Sequence, residues 1–166
     1  MTEIDIRPAT LDDADGINAV YNPFIVSSPA TFETREHVTG ERRSWIAEHQ
    51  DSSRHPVIVA VLEGEICGFA SASAFDPRGA YETSVKTSVF LSPAAVGRGV
   101  GKKLYQVLFD RLESEDVHRA YALIVAPNQA SVALHEAFGF AHISTLSEVG
   151  RKFDRYYDVM WFEKRF

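Results

Sequence analysis

The chain has 166 residues, 45% of them hydrophobic, with 17 basic against 23 acidic side chains and a net charge of −6. That length and apolar content specify one globular domain with a substantial core, and nothing divides the chain in two. The acidic balance, without a large basic cluster, argues against a nucleic-acid partner or an anionic-membrane surface, and no apolar run is long enough to cross a bilayer.

In chain order the pattern alternates. Ile4–Arg7 reads as a short strand, and Thr10 opens a helix with Asp13 three residues on, an approximate capping box before Ala14, Ile17 and Val20. Pro23 is expected to end that helix. A loop from Ser27-Ser28-Pro29 through Thr31-Phe32-Glu33 leads to a second helix, Gly40 to His49, carrying Trp45 and Ile46. Val57–Leu62 and Ile66–Ser73 read as a hairpin across Glu63-Gly64-Glu65. Phe75-Asp76-Pro77-Arg78-Gly79 is a loop before a long strand, Tyr81–Leu91. Leu104, Leu108 and Leu112, four apart, mark one face of an amphipathic helix. Ala120–Val125 is a strand; Pro127-Asn128 starts a helix with Val132, Leu134 and Phe138 toward the core, closed by Gly139. Ile143–Val149 and Tyr156–Phe162 are the last strands, separated by residues 150–154. Hairpins and crossovers together indicate an α/β layer structure on a mixed sheet.

The stretch Ser84–Lys103 is the most informative. A strand pattern stops at Ser92-Pro93, and Gly97, Gly99 and Gly101 then lead into a helix. Without side chains at those positions, backbone N–H groups can converge on an anion where the helix begins. The helix N-terminus contributes about half a positive charge, and Arg98, Lys102 and Lys103 add more. Phosphate or pyrophosphate is the natural guest; a glycine-rich surface connection is the plain alternative. The spacing fits neither a Walker loop, since Lys102 is followed by Lys103, nor the dinucleotide fingerprint GxGxxG.

Taken together, Val89-Phe90-Leu91, the turn Val96-Gly97-Arg98-Gly99-Val100-Gly101, and Asn128-x-x-Ser131-x-x-Leu134-His135-Glu136-x-x-Gly139-Phe140 resemble the GNAT N-acetyltransferase superfamily. Ile6–Thr10, Tyr21-Asn22, Thr31–Thr34, Thr87–Pro93 and Tyr157–Val159 are similar to the phosphinothricin and methionine-sulfoximine N-acetyltransferases, over nearly the whole chain. The resemblance implies a single domain with a mixed, mostly antiparallel sheet flanked by helices, in which a splayed strand pair binds acetyl-CoA. It implies transfer to the amine of a small amino acid or analogue, in a ternary complex and without a metal. On this footing Val89, Phe90 and Leu91 offer free backbone to the pantetheine arm. Residues Gly97, Arg98, Gly99, Val100, Gly101 and Lys102 hold the pyrophosphate, and Asn128 and Ser131 contact the arm, with an N-cap as the plain role for Asn128.

His135 stands where many members carry a tyrosine that protonates the leaving thiolate, and the narrower family also has His there. As general acid it would supply about a hundred- to ten-thousandfold; a satisfied histidine on a helix face is the alternative. Phe32, Phe75, Arg78 and Tyr81 are the implied acceptor contacts, Arg78 pairing with a carboxylate, although each also reads as a loop or core residue. The chain departs from the family pattern at Lys86, where a glutamate base is expected. Glu82 is the only nearby carboxylate of the right parity, since residues 82, 84 and 86 share one face of a strand, and it stands as a displaced base or as the salt-bridge partner of Lys86; a desolvated Lys86 is the third possibility, as the base itself. Val96 and Gly97 also replace the family's usual polar or basic residues. Acetylation of another amine, such as a peptide N-terminus or polyamine, or a CoA-binding protein of reduced activity, remain the alternatives. The family implies a homodimer. The opening MTEIDIRPAT lacks a secretory pattern, and with Cys67 as a lone packing residue a reducing cytoplasm is the expected setting.

Overall fold

The computed structural model describes residues 3–166. Seven strands form one sheet in the order β1-β2-β3-β4-β5-β7-β6. They are β1 (Ile4–Pro8), β2 (Val57–Leu62), β3 (Glu65–Ala74), β4 (Ser84–Leu91), β5 (Arg119–Val125), β6 (Ala141–Lys152) and β7 (Arg155–Arg165). Every neighbouring pair is antiparallel except β4 and β5. The helices are α1 (Ala14–Ser27), α2 (Thr39–Gln50), α3 (Val100–Glu113) and α4 (Gln129–Ala137).

Period-two alternation gives the sheet two buried faces. On one, Val85 and Ala122 pack with Leu104, Leu108 and Leu112 of α3, all three leucines fully buried as their spacing requires. On the other, Val59 and Phe69 pack with Ile17 of α1 and Ile46 of α2. Cys67 is buried and its thiol pushed up by desolvation, which suits a packing residue rather than a nucleophile. At the first hairpin Glu63 and Gly64 take positive φ, 53° and 86°, and form a two-residue turn, one residue shorter than the expected Glu63-Gly64-Glu65 because Glu65 already pairs in β3.

Three further boundaries differ from the sequence reading. Helix α1 runs through Pro23 to Ser27. A proline inside a helix loses one hydrogen bond and crowds the preceding turn, at a cost of about 3 kcal/mol. Tertiary contacts offset it: Phe24 packs on Phe90 at a ring separation of 5.2 Å, Ile25 is buried, and Ser27 Oγ donates to the Pro23 carbonyl at 2.7 Å. Lys152, on the far hairpin, donates to the carbonyls of Phe24, Ser28 and Thr31, tying down the end of α1 and the loop after it.

Strand β4 begins at Ser84, not Tyr81, because Tyr81 N–H donates to Arg78 O and Glu82 N–H to Gly79 O in a 3₁₀ turn. Strand β6 continues to Lys152, so the last turn is Phe153-Asp154 alone, both at positive φ.

Candidate active site

The parallel pairing of β4 with β5 lasts only three residues, Ser84–Lys86 against Arg119–Tyr121. Beyond Lys86, β4 keeps its other neighbour, with Thr87–Leu91 paired to β3, while β5 stays on β7. The two inner edges therefore part, and the β5-facing backbone groups of β4 lose their partner. A cavity of about 310 Å³ fills this wedge. Val89, Phe90 and Leu91 line one wall; Asn128, Ser131 and His135 line the other, and Val96 stands at the end toward the glycine turn.

Gly97 and Gly99 have φ of 75° and 73°, and Gly99 is the N-cap of α3. The first backbone bond of α3 is Lys103 N–H to Gly99 O at 3.1 Å, so the N–H groups of Val100, Gly101 and Lys102 precede it and have no backbone acceptor at the helix start. Val100 is fully buried, while Arg98 and Lys102 are exposed. A Cβ on Gly101 would meet Leu91 and Leu134 at 3.5 Å, which places this glycine between the two walls of the wedge. Asn128 caps α4, its Oδ1 accepting from Ser131 N–H at 3.1 Å.

His135 is 3% exposed. Its Nδ1–H donates to Ser131 O at 2.7 Å, which leaves Nε2 to accept the Tyr105 hydroxyl proton at 2.9 Å. Burial lowers the His135 pKa and raises that of Tyr105 well above the usual phenol range, so the imidazole rests neutral and the mobile proton sits on Tyr105. Both ring nitrogens are thus engaged, which is the satisfied-histidine arrangement, and an imidazolium donor is disfavoured by desolvation. Tyr105 and Thr87 also line the wedge. Tyr105 carries no functional signal in the sequence, since between Leu104 and Leu108 it reads as one more core position of α3.

On the opposite face of β4, residues 86, 88 and 90 look into a larger cleft of about 780 Å³ under α1 and α2. Its wall includes Tyr21, Thr31, Glu33, Arg42, Ser71, Lys86 and Ser88. Tyr21 and Thr31 share a hydroxyl hydrogen bond at 2.7 Å, and Ser71 and Ser88 another at 3.1 Å. Ala30 and Leu123 border this cleft, the wedge, and a third apolar cavity of about 400 Å³ holding Phe32 and Trp161. The three spaces converge there, beside the point where β4 and β5 part.

Several expected site residues lie elsewhere. Glu82 is in the turn before β4, so the parity argument linking it to Lys86 fails; its carboxylate is 3.7 Å from Arg54 and outside the cleft wall. Arg78 is not poised for a substrate carboxylate, because its fork is closed on Asp76 at 2.7 and 3.1 Å and it is stacked on Tyr81 outside the cleft. Phe75 and Tyr81 pack on each other, and Phe75 packs on Tyr121. Phe32 covers Gly150 so closely that a Cβ there would overlap its ring. Arg42, a residue the sequence reading passed over, is the buried cation of the cleft.

The family described as Acetyltransferase (GNAT) domain matches residues 6–161. Phosphinothricin N-acetyltransferase of Streptomyces coelicolor is 44% identical over 164 residues, covering 98% of this chain and 96% of that protein. L-methionine sulfoximine/L-methionine sulfone acetyltransferase of Pseudomonas aeruginosa is 30% identical, covering 95% and 92%. Among solved structures, a GNAT superfamily phosphinothricin acetyltransferase from Sinorhizobium meliloti in complex with AcCoA superposes with a TM-score of 0.92 at 31% identity, over 99% of this chain and 89% of that one. An N-acetyltransferase from Staphylococcus aureus Mu50 superposes at 0.93 with 31% identity, over 99% of both. With the splayed strands, the glycine turn and these relatives in agreement, the chain belongs to the GNAT acetyltransferase family.

Proposed function

We propose that this N-acetyltransferase moves the acetyl group of acetyl-CoA to the amine of a small amino acid or analogue of the phosphinothricin or methionine-sulfoximine kind. The observation that carries the reading is the parting of β4 from β5 after Lys86, on a line that ends at the N–H groups of α3 that have no backbone acceptor. An extended pantetheine arm fits a strand edge, and a pyrophosphate fits the glycine turn with Arg98 and Lys102 beside it. The acceptor enters the larger cleft and meets the thioester where the spaces converge. The amine nitrogen attacks the carbonyl carbon, the C–N bond forms as the C–S bond breaks, and the thiolate takes a proton.

The Tyr105–His135 pair on the wedge wall is the candidate relay for that proton: burial makes the Tyr105 hydroxyl a weak acid, so it gives its proton only as the strongly basic thiolate forms and regains one from the nitrogen of the attacking amine, leaving the pair neutral. For the amine proton, Lys86 occupies the place of the family's glutamate, and Glu82 is held by Arg54. No carboxylate lies within 4.0 Å of the Lys86 ammonium among the described residues. Of the two candidates read from the sequence, Lys86 is the one that lines the cleft, on a wall it shares with Glu33 and His37. Positioning contributes about 7–11 kcal/mol, against the roughly 3–5 kcal/mol implied by a general base, so transfer persists without a carboxylate there.

The test is Gly99→Val. A β-branched residue at φ 73° is strained, and it displaces the N–H groups of the turn. The Michaelis constant for acetyl-CoA is expected to rise about tenfold, the loss of roughly one charge-assisted hydrogen bond between the turn and the pyrophosphate. An unchanged constant in initial-rate measurements would remove the turn from the binding site.

A homodimer is part of the same reading. Strand β6 is an edge strand and largely exposed, with Ile143, Leu146 and Val149 at 50, 40 and 56% exposure and Tyr156 on β7 at 61%. Such an apolar face favours a partner. Sedimentation equilibrium is expected to read about twice the 18.5 kDa chain mass; a single-chain mass at micromolar concentration contradicts it.

A further inference from the structure

Arg42 sits on α2 and is 5% exposed. Its Nε–H donates to Asn18 Oδ1 at 2.8 Å, and its guanidinium lies 5.1 Å from the Tyr21 ring centre and 4.7 Å from that of Trp45. This clamp fixes the plane of the fork. Nη2 is buried without a hydrogen-bond partner, and among the described residues no carboxylate comes within 4.0 Å of the group. The side chain borders the acceptor cleft, on the wall that faces Lys86 and Ser88.

A guanidinium stays charged at any pH the protein meets, and burying one costs several kcal/mol unless an anion compensates. The aromatic rings provide part of that compensation. Glu33, on the same cleft wall, adds a longer-range attraction without forming an ion pair within 4.0 Å, so the hydrogen-bonding demand of Nη2 stays unmet. The other cleft arginine, Arg35, is different: it is exposed and closed on Glu41 at 2.9 and 3.2 Å. Arg42 is therefore a cation built in advance, oriented by Asn18 and two rings, with a donor left over. Its planar fork matches the two oxygens of a carboxylate.

We propose that Arg42 is the specificity-determining residue that holds the α-carboxylate of the acceptor, so that the cleft takes free amino acids and their analogues rather than polyamines or carboxyl-blocked amines. The proposal rests on the acetyltransferase reading above. It assigns to Arg42 the role that Arg78, closed on Asp76, does not fill.

The experiment compares L-methionine sulfone with its carboxamide as acceptors, for wild type, Arg42→Met and Arg42→Lys. Wild type is expected to prefer the acid in kcat/KM by about a hundredfold, equivalent to about 2.7 kcal/mol. In Arg42→Met that preference is expected to collapse to within about threefold, mainly through the acceptor KM, with the acetyl-CoA KM little changed. Arg42→Lys keeps charge without the fork and is expected to recover part of the preference; it also serves if the Met variant does not fold. Acid and amide falling together, or a wild type that does not distinguish them, would overturn the proposal. Calorimetric titration of L-methionine sulfone into wild type and Arg42→Lys, with CoA present, separates the two claims. Arg42-dependent binding without turnover would retain the carboxylate site and defeat the acetyltransferase reading; binding that ignores the substitution would defeat the site.

Discussion

Tyr105→Phe is expected to lower kcat about a hundredfold while the acetyl-CoA KM moves less than threefold. Tyr105 is fully buried on α3, and its hydroxyl is the donor to His135 Nε2. The opposite nitrogen of that ring is committed to the Ser131 carbonyl, so the neutral imidazole has no second proton to give. Desolvation enforces this arrangement from both sides, holding Tyr105 protonated and His135 neutral. When a thiolate forms in the wedge, the phenolic proton is the one on the wall, and its loss removes help at the low end of the usual hundred- to ten-thousandfold range. The substitution also orphans Nε2, at about 1–3 kcal/mol of stability. Stability and catalysis are separable by measuring melting temperature and kcat together. The His135→Ala, Tyr105→Phe double variant is expected to be little slower than either single one, as for residues that act as a unit. A lower melting temperature with kcat intact would make the pair structural.

Lys152→Met is expected to destabilise the fold by about 3–5 kcal/mol, a loss typical of breaking a buried charged network. Lys152 is 6% exposed, and its Nζ donates to Phe24 O, Ser28 O and Thr31 O at 3.3, 2.7 and 2.8 Å. Methionine conserves the apolar stem but leaves the Ser28 and Thr31 carbonyls without this donor, while Phe24 O keeps its bond from Ser28 N–H; each unsatisfied group costs about 1–3 kcal/mol before relaxation or water entry. For a domain of this size the melting temperature should fall by roughly 10 °C. The three carbonyls end α1 and begin the loop carrying Thr31, Phe32 and Glu33, which border the acceptor cleft and its apolar neighbour. A raised acceptor KM in the folded fraction is therefore expected as well. A change below 1 kcal/mol by urea denaturation would show that the carbonyls find other donors.

The sequence disclosed those features whose causes are local. Leucines four apart on α3, glycines at 64, 97 and 99 with positive φ, and Asn128 before a helix each declare a backbone geometry through their own chemistry. The splay itself was legible only through resemblance, since the end of the β4–β5 pairing depends on residues thirty-five positions apart. Pro23 misled because the compensating contact, Lys152, is 128 residues from Phe24. Tyr81 belongs to a turn because Arg78 and Gly79 accept the N–H groups that a strand would pair elsewhere. Glu82 and Arg78 lie away from the cleft wall, beside Arg54 and Asp76, because strand parity carries no information about rival partners. Arg42, in the run Glu41-Arg42-Arg43, reads as a solvated helix charge until Asn18, Tyr21 and Trp45 are seen around it.

The most direct measurement is CoA thiol release from acetyl-CoA by wild-type protein against phosphinothricin, methionine sulfoximine, methionine sulfone, ordinary amino acids, polyamines and short peptides. Turnover concentrated on the amino-acid analogues is the predicted result, and it would show Lys86 to be compatible with acetyl transfer. Folded protein that releases thiol with none of these acceptors, or only with polyamines or peptides, would contradict the account.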